Sequence, residues 1–445
     1  MTEEQLKQIE EQEQRKAYLS SLTPITFSEL EKRVNRWLLI SDPGVLKMIA
    51  AVYVANCLDG RDPVWVMFVG PSGGGKTEML GMLLDLPKTY PVSLLTPNTF
   101  LSGFPGSKDS SLLPKVNGKI MQFKDWTSIL SMNKDARNEI LGQMREIFDG
   151  SLKKPFGNGR IAEWKGKVGM IAGCTPAVDI AAQMHASLGE RFIYYRIAMP
   201  DRVEVARRVL KNNDSSDKMR LELRDAMYAF LLGVTTKQEV PEIPMPVQDM
   251  IVRVANVATL ARSGVIRDLG PKKEVVYVPS PEMPTRIVGQ LATLATAIMM
   301  VNKGTFDEKS DGNLLMKVAM DSIPQTNRMA MEAVAMKTWQ TTADIAAWLG
   351  YPTAPVRMYL ENLGMLGVVR RIQGKNTGEE MGGADRWEMA AEYVSVINEA
   401  KGYSSASYQP PAAEFEPEPE PVPPPPGEMP VEMAFGPPPE YDGGA

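Results

Sequence analysis

The hydrophobic pattern is most distinctive between residues 64 and 84. Residues 64–69 read Val-Trp-Val-Met-Phe-Val, an unbroken apolar run that is typical of a strand buried on both faces in a parallel sheet. A glycine-rich stretch follows directly, and apolar residues then recur at helical spacing over 78–84. The pattern predicts a strand, a loop and a helix in immediate succession.

Further apolar runs alternate with amphipathic segments as far as residue 200. Helices are predicted over about 26–39, 44–57 and 134–148, and strands over 91–95, 119–126, 168–173 and 192–197. Asn158-Gly159, between 152–156 and 160–164, predicts a β-hairpin with a tight turn. Strands that alternate with helices predict an α/β domain with a parallel sheet.

The pattern changes twice more along the chain. Residues 201–320 are almost wholly helical in pattern, and residues 325–400 predict a helix–turn–helix followed by a β-wing. Residues 404–445 hold 13 of the 35 prolines and predict a disordered tail. The core of the helix–turn–helix unit is expected to contain Ile345, Trp348, Leu349, Val356, Leu360 and Leu363.

These changes divide the chain into five predicted parts. They are an N-terminal extension at 1–24 (a solvated helix or a disordered lead-in), an α/β nucleotide-binding core at 25–200, a helical lid at 201–322, a winged-helix domain at 323–402 and an acidic, proline-rich tail at 403–445.

The composition limits the kinds of partner, metal site and location that can be expected for this chain. The 445 residues carry a net charge of −5, and removing the eight acids of residues 404–445 leaves +3 for residues 1–403, which permits binding to nucleic acid. Two cysteines and one histidine, His185, exclude a disulfide framework and a histidine-based zinc cluster. The longest apolar run near the middle, Leu291–Val301, is too short to span a membrane, and the first residues resemble no secretory signal, so a cytoplasmic protein is expected.

The glycine-rich stretch matches the phosphate-binding P-loop pattern G-x-x-x-x-G-K-T. In such a loop backbone N–H groups surround phosphate oxygens, Lys76 reaches the β- and γ-phosphates of ATP, and the Thr77 hydroxyl holds Mg²⁺. The alternative is an ordinary glycine-rich turn. The predicted nucleotide contacts are Gly70, Pro71, Ser72, Gly73, Gly74, Gly75, Lys76, Thr77 and Glu78.

A second acid is needed to complete the Mg²⁺ shell, at the end of a neighbouring strand. Asp125 closes the apolar segment that begins at Ile120 and is the natural candidate. Its alternative role is to cap the turn that follows the strand.

Together these motifs resemble the AAA+ ATPases, and in particular the branch with a hairpin before the fourth core strand, which includes the minichromosome maintenance helicases. The chain is also similar to phage-encoded ATPases with a C-terminal winged helix. The resemblance covers roughly residues 45–320 and implies a ring-shaped homo-oligomer.

The resemblance also implies roles for three further residues, catalytic for two of them and nucleotide-binding for Arg286. Thr175, after the strand 168–173, corresponds to the polar sensor-1 residue, although asparagine is commoner there. Arg191, in the stretch Gly-Glu-Arg-Phe, corresponds to the arginine finger that one subunit supplies to the next. Arg286 corresponds to the sensor-2 arginine, with Arg262 as a rival.

One position departs from the family. The residue after Asp125 is Trp126, where the family usually has the glutamate that orients the attacking water. Three explanations are open: another acid such as Glu139 or Glu146 replaces it, Thr127 positions the water less effectively, or hydrolysis is slow.

Basic residues in two places predict contacts with DNA. Lys153, Lys154 and Arg160 lie on the hairpin, which would face the channel of a ring and grip a phosphate backbone. In the winged-helix unit the outward or wing positions are Arg357, Tyr359, Asn362, Arg370, Arg371, Lys375 and Arg386. Each set has an alternative interpretation: the hairpin could be a charged hairpin exposed to solvent, and the winged helix could dock a protein.

The sequence therefore predicts an ATP-hydrolysing AAA+ motor that acts on DNA in replication, as a helicase, helicase loader or translocase. The alternative is a nucleotide-dependent DNA-binding regulator with slow hydrolysis. The acidic tail could recruit a protein partner, and no membrane partner is expected.

Overall fold

A computed structural model describes residues 3–103, 110–179, 191–234, 240–268, 270, 273–373 and 383–401. His185, Lys375, the glycine and glutamate that precede Arg191, and the predicted tail lie outside these residues. The described residues all belong to one compact unit.

The predicted α/β architecture with a parallel sheet is confirmed. Five parallel strands pair in the order β2-β3-β6-β1-β7. They are β1 (Trp65–Val69), β2 (Thr89–Val92), β3 (Ile120–Phe123), β6 (Gly169–Cys174) and β7 (Ile193–Arg196).

Alternate residues of β1 enter two different apolar cores, since successive side chains of a strand point to opposite faces. Val66 and Phe68 lie in the first core, and Trp65, Met67 and Val69 lie in the second. Burial on both faces explains why the strand shows no polar alternation in the sequence.

The helices before and around this sheet are α1 (Glu3–Ser20), α2 (Phe27–Trp37), α3 (Val45–Cys57), α4 (Lys76–Gly81), α5 (Leu113–Val116), α6 (Thr127–Leu130) and α7 (Lys134–Phe148).

The predicted hairpin is also confirmed. Strands β4 (Ser151–Pro155) and β5 (Ile161–Lys165) pair antiparallel, and the turn contains Gly159 at φ +80°. Leu152 and Trp164 anchor the hairpin in the second core.

The helices after residue 200 share the first core with the sheet, except for the first of them, in which no residue is buried. They are α8 (Arg202–Asn212), α9 (Ser216–Leu232), α10 (Met245–Arg262), α11 (Thr285–Val301) and α12 (Ser310–Asp321), with a short hairpin of β8 (Ile266–Arg267) and β9 (Val275–Tyr277). α11 packs along α3, and α12 packs against β7. One apolar core therefore crosses the predicted boundaries at 200 and 323, and the division into domains stays a prediction.

The last part of the described chain contains three helices, a three-stranded antiparallel sheet in the order β10-β12-β11, and a closing helix. Its elements are α13 (Gln325–Met336), β10 (Gln340–Thr341), α14 (Thr342–Leu349), α15 (Thr353–Met365), β11 (Val369–Ile372), β12 (Arg386–Met389) and α16 (Ala391–Lys401).

The predicted core of this unit is right at five positions and wrong at Trp348. Trp348 is 52% exposed, whereas Ile345 and Leu349 on the same helix are buried. At 100° per residue, position 348 lies about 100° away from the centre of the face that contains 345, 346 and 349. The other three buried members are Val356, Leu360 and Leu363.

The N-terminal extension contains a helix, α1, whose second half contacts the rest of the protein. Arg15 contacts both Asp85 and Asp225 at 2.6 Å, and Tyr18 donates a hydrogen bond to Asp225 at 3.0 Å. Asp85 lies just beyond α4 and Asp225 on α9, so Arg15 bridges the helix that follows the glycine-rich loop to the helical region.

A buried ionic network joins the sheet to α12 and α13. The Asp321 carboxylate, fully buried, accepts hydrogen bonds from the Arg196 backbone N–H at 2.7 Å and from Lys317 Nζ at 2.6 Å, and it pairs with Arg328. Burial alone would raise the pKa of Asp321, but Lys317 and Arg328 outweigh it and hold that pKa below its usual range.

We predict that Asp321→Ala lowers the free energy of unfolding by about 3–5 kcal/mol, because the buried Lys317 loses its carboxylate partner and the buried Arg328 loses one carboxylate while Glu332 remains. Urea unfolding measures the loss, and Glu308→Ala, at an exposed acid near α12, is the matched control. A carboxylate with a depressed pKa stabilises above the unfolded value of about 3.9 and loses this effect as the pH falls through its folded pKa. The difference between the variant and the wild type should thus shrink in acid. Equal stability of D321A and E308A at neutral pH would contradict the prediction.

Candidate nucleotide site

The glycine-rich loop lies at the carboxyl edge of the sheet, where ligands bind in open α/β sheets. It leaves β1 at Gly70, whose N–H donates to the Cys174 carbonyl oxygen at 3.1 Å, and it enters α4 at Lys76. Gly73 and Gly75 have φ of +74° and +76°, a backbone region that residues with a side chain rarely adopt. The predicted order of strand, loop and helix is therefore present.

The Lys76 ammonium folds back over this loop. Its Nζ donates to the carbonyl oxygens of Gly70 and Pro71, each at 2.7 Å. Burial lowers the pKa of Lys76, and the nearby Asp125 carboxylate acts against that shift. Both acceptors are neutral carbonyls, and charged oxygens are the stronger acceptors for an ammonium. The other loop positions are exposed or partly exposed: Pro71, Ser72, Gly73, Gly74, Gly75 and Thr77.

Two neighbouring strands bring further side chains to this edge. Asp125 and Thr127 follow β3, and Thr175 follows β6, which lies between β3 and β1. Strands in a sheet are about 4.8 Å apart, so the ends of β3 and β1 lie about 10 Å from each other.

The Thr127 and Thr175 hydroxyls meet at 3.1 Å. The Asp125 carboxylate accepts a hydrogen bond from the Thr127 backbone N–H at 2.9 Å, which fixes the turn that carries Thr127. Cys174 lies beneath them, and burial raises the pKa of its thiol to about 11, so the thiol is neutral.

The residue that departs from the family pattern points away from this edge. Trp126 is 1% exposed and packs against Phe123 and Phe192, with ring centroids 5.0 and 5.6 Å away. Its backbone N–H donates to the Gly173 carbonyl at 2.7 Å. Trp126 is therefore part of the second core, and a glutamate in the same rotamer would be buried among aromatic rings.

The residues at this edge fit a magnesium ion. Mg²⁺ favours oxygen ligands and is usually held by one or two carboxylates together with substrate phosphates. Asp125 supplies a carboxylate just after β3, and Thr77 supplies an exposed hydroxyl in the first turn of α4, both at this edge of the sheet. Within the described ranges, no cluster of three or more His, Cys, Asp or Glu residues forms a metal site by itself.

The predicted catalytic Arg191 and the predicted nucleotide-binding Arg286 lie at the other edge of the sheet. Arg191 precedes β7 and contacts Asp149 at 2.9 Å, and Arg286 contacts Glu282 at 2.6 Å. Gln290, one turn after Arg286, bonds both the Trp65 N–H and the Arg191 carbonyl, and so marks the amino ends of β1 and β7. A five-residue strand is about 17 Å long, so neither arginine reaches the loop of its own protomer.

An arginine that sequence reasoning missed lies next to the loop instead. Arg220 on α9 grips the Glu78 carboxylate with distances of 3.0–3.2 Å. The sequence offers no signal for Arg220, because it is one of several arginines in a helical region. Arg262, the predicted rival of Arg286, shares the same Glu282 partner at 2.7 Å.

The basic residues of the hairpin are largely paired. Lys153 pairs with Glu163 across the hairpin, and Lys154 is tied to Glu139 at 3.1 Å and to the Pro97 carbonyl at 2.6 Å. Arg160 is partly exposed beside the turn. Lys154 is thus directed into the protein.

The predicted outward face of the last unit is only partly free. Arg357 on α15 is exposed, but Asn362 and Glu361 are held by Arg267 at 2.9 and 3.1 Å. Burial raises the pKa of Tyr359. On the neighbouring strands Arg370 lies 3.5 Å from Glu392, Arg371 bonds Asp385 at 2.8 Å, and Arg386 donates to the Trp339 carbonyl at 3.2 Å.

Comparisons with family models and with curated proteins find no match to this chain. In the part of the chain that the structure describes, no helix has both the length and the apolar character needed to cross a lipid bilayer.

Proposed function

We propose that this protein binds Mg²⁺-ATP in the loop Gly70–Thr77, hydrolyses it as an AAA+ ATPase, and acts on DNA. The observation that carries the proposal is the Lys76 ammonium, held over a left-handed glycine loop at the carboxyl edge of a parallel sheet, next to Asp125. That arrangement combines a loop with left-handed glycines and a cation whose acceptors are uncharged carbonyl oxygens.

In this proposal the residues at the edge have separate tasks. Lys76 exchanges its two carbonyl acceptors for β- and γ-phosphate oxygens. Thr77 and Asp125 hold Mg²⁺, which when bound neutralises charge on the phosphates. Positioning and charge neutralisation are the main sources of catalysis in phosphoryl transfer, so these residues suffice for binding and supply part of the rate.

The oligomer is proposed from the position of Arg191. A finger arginine acts on the nucleotide of the neighbouring subunit, which agrees with its distance from the loop of its own chain. Its ion pair with Asp149 must open for that role.

DNA is proposed as the partner of the unit from α13 to α16. The order helix, strand, helix, helix and antiparallel hairpin supports a winged helix, in which α15 would be the recognition helix. Arg357 is the exposed cation on that helix, while Arg370 and Arg371 would contribute by exchanging exposed acidic partners for phosphate.

A second candidate function is a nucleotide-dependent switch that binds DNA and hydrolyses ATP slowly. Two observations favour it: Trp126 is buried in the core where a catalytic glutamate is expected, and the hairpin lysines are paired with Glu139 and Glu163. A motor needs cations that are free to track a strand.

The nucleotide site is tested by Lys76→Ala, which should abolish measurable ATP binding or hydrolysis and leave the circular dichroism spectrum unchanged, because Lys76 contacts loop carbonyls and not the core. The matched control is Lys134→Ala, at an exposed lysine. Wild-type affinity and turnover in K76A would refute the proposed site.

The winged-helix proposal predicts that Arg357→Ala weakens binding to duplex DNA. The slope of log affinity against log salt should fall by about 0.9, since one cation fewer then neutralises a phosphate. Arg33→Ala on α2, also exposed, is the control. Identical salt slopes for the two variants would place the DNA-binding surface elsewhere.

Variants in the hairpin distinguish a DNA motor from a nucleotide-dependent switch. For a motor, the double variant Lys153→Ala/Arg160→Ala should lose the stimulation of ATPase activity by single-stranded DNA and keep basal turnover, because the channel cations are gone. Lys154 is left intact because it holds the hairpin to Glu139. The control Lys32→Ala/Arg33→Ala removes the same charge from α2. Stimulation that survives in K153A/R160A favours the switch.

A further inference from the structure

We infer that the paired hydroxyls of Thr127 and Thr175 hold the water that attacks ATP, and that none of the carboxylates in the described part of the chain serves as the base. This inference rests on the proposed nucleotide site and names the residues that complete it.

The geometry of the pair supports this role. The two hydroxyl oxygens lie 3.1 Å apart, one after β3 and the other after β6, and both residues are partly exposed. Asp125, two residues before Thr127, fixes its turn, and Cys174 precedes Thr175. The Cys174 carbonyl oxygen accepts a hydrogen bond from the Gly70 N–H at 3.1 Å, so the pair lies beside the glycine-rich loop.

Hydroxyls are suited to orient a water molecule. Each threonine offers one donor and two acceptor lone pairs. The contact between them uses one proton and one lone pair, and Thr127 Oγ1 also accepts a long hydrogen bond from the Thr175 N–H at 3.4 Å. Apart from a weak contact of Thr127 with Cys174 Sγ at 3.9 Å, the pair then retains one donor and two lone pairs. A water molecule can therefore donate to one hydroxyl and accept from the other, which fixes the direction of its own lone pair.

The described carboxylates near this edge are otherwise engaged. Glu78 is held by Arg220, and Glu139 accepts from both Lys154 and Gln143. Glu146 lies on the exposed side of α7. Of the three explanations for Trp126, the structure thus favours the one in which Thr127 positions water.

The reaction balances without a protein base. The water oxygen forms a bond to the γ-phosphorus, and the bond from that phosphorus to the β–γ bridging oxygen breaks with its electron pair left on ADP. The water proton ends on an oxygen of the released phosphate. Because general-base assistance is typically worth about 10²–10⁴-fold, its absence makes the ATP-bound state long-lived.

The test compares isosteric and conservative variants in the full-length protein. Thr127→Val and Thr175→Val remove each hydroxyl while keeping the branched shape, and Thr127→Ser and Thr175→Ser keep the hydroxyl. We expect each valine variant to lower kcat by on the order of 10- to 100-fold, as for a misplaced nucleophile, and each serine variant to restore it. The affinity for ATP, measured separately with a fluorescent ATP analogue, should stay within about threefold, because the pair contacts water and not the bound nucleotide.

The double variant T127V/T175V supplies the decisive comparison. Two residues that hold one water molecule should not act additively, so the double variant should be about as slow as either single variant. Multiplicative losses, wild-type kcat in the valine variants, or serine variants as slow as the valine ones would overturn the inference. A wild-type protein that binds no ATP would instead refute the proposed function itself.

Discussion

The candidate site depends on how closely β6 approaches the chain that leaves β3. A β-carbon at Gly173 would lie 2.7 Å from the Lys124 carbonyl oxygen, which is a steric clash. Only glycine allows the two segments to approach so closely. The hydrogen bond from the Trp126 N–H to the Gly173 carbonyl oxygen holds them together. The same close approach places Asp125 and Thr127 beside Thr175 and turns the indole of Trp126 into the core.

Local pattern was enough to predict the strand and loop that carry the phosphate-binding motif. Residues 64–69 are apolar because β1 is buried on both faces, and the glycines are required by left-handed backbone, so both features are visible in a short stretch of sequence. The hairpin around Asn158-Gly159 was predictable for the same reason. In each case neighbours along the chain determine the structure.

Contacts between distant segments were not predictable in this way. Thr127 and Thr175 are 48 residues apart and meet only because β3 and β6 are neighbours in the sheet. Arg286 was chosen by analogy, but α11 runs beside α3 and carries it to the amino edge, while Arg220 reaches Glu78. The pairing of charged side chains was equally unpredictable from the sequence. Lys154 was predicted to contact DNA, but in the fold it binds Glu139 and a carbonyl oxygen.

Lys76 has a consequence for the energetics of binding. Two hydrogen bonds from its ammonium hold the loop through the carbonyl oxygens of Gly70 and Pro71. Part of the conformational entropy of the loop is therefore lost during folding, as in preorganised sites. In the proposed ATP complex, binding is an exchange of acceptors at this ammonium, so its enthalpy reflects the difference between a carbonyl and a phosphate oxygen.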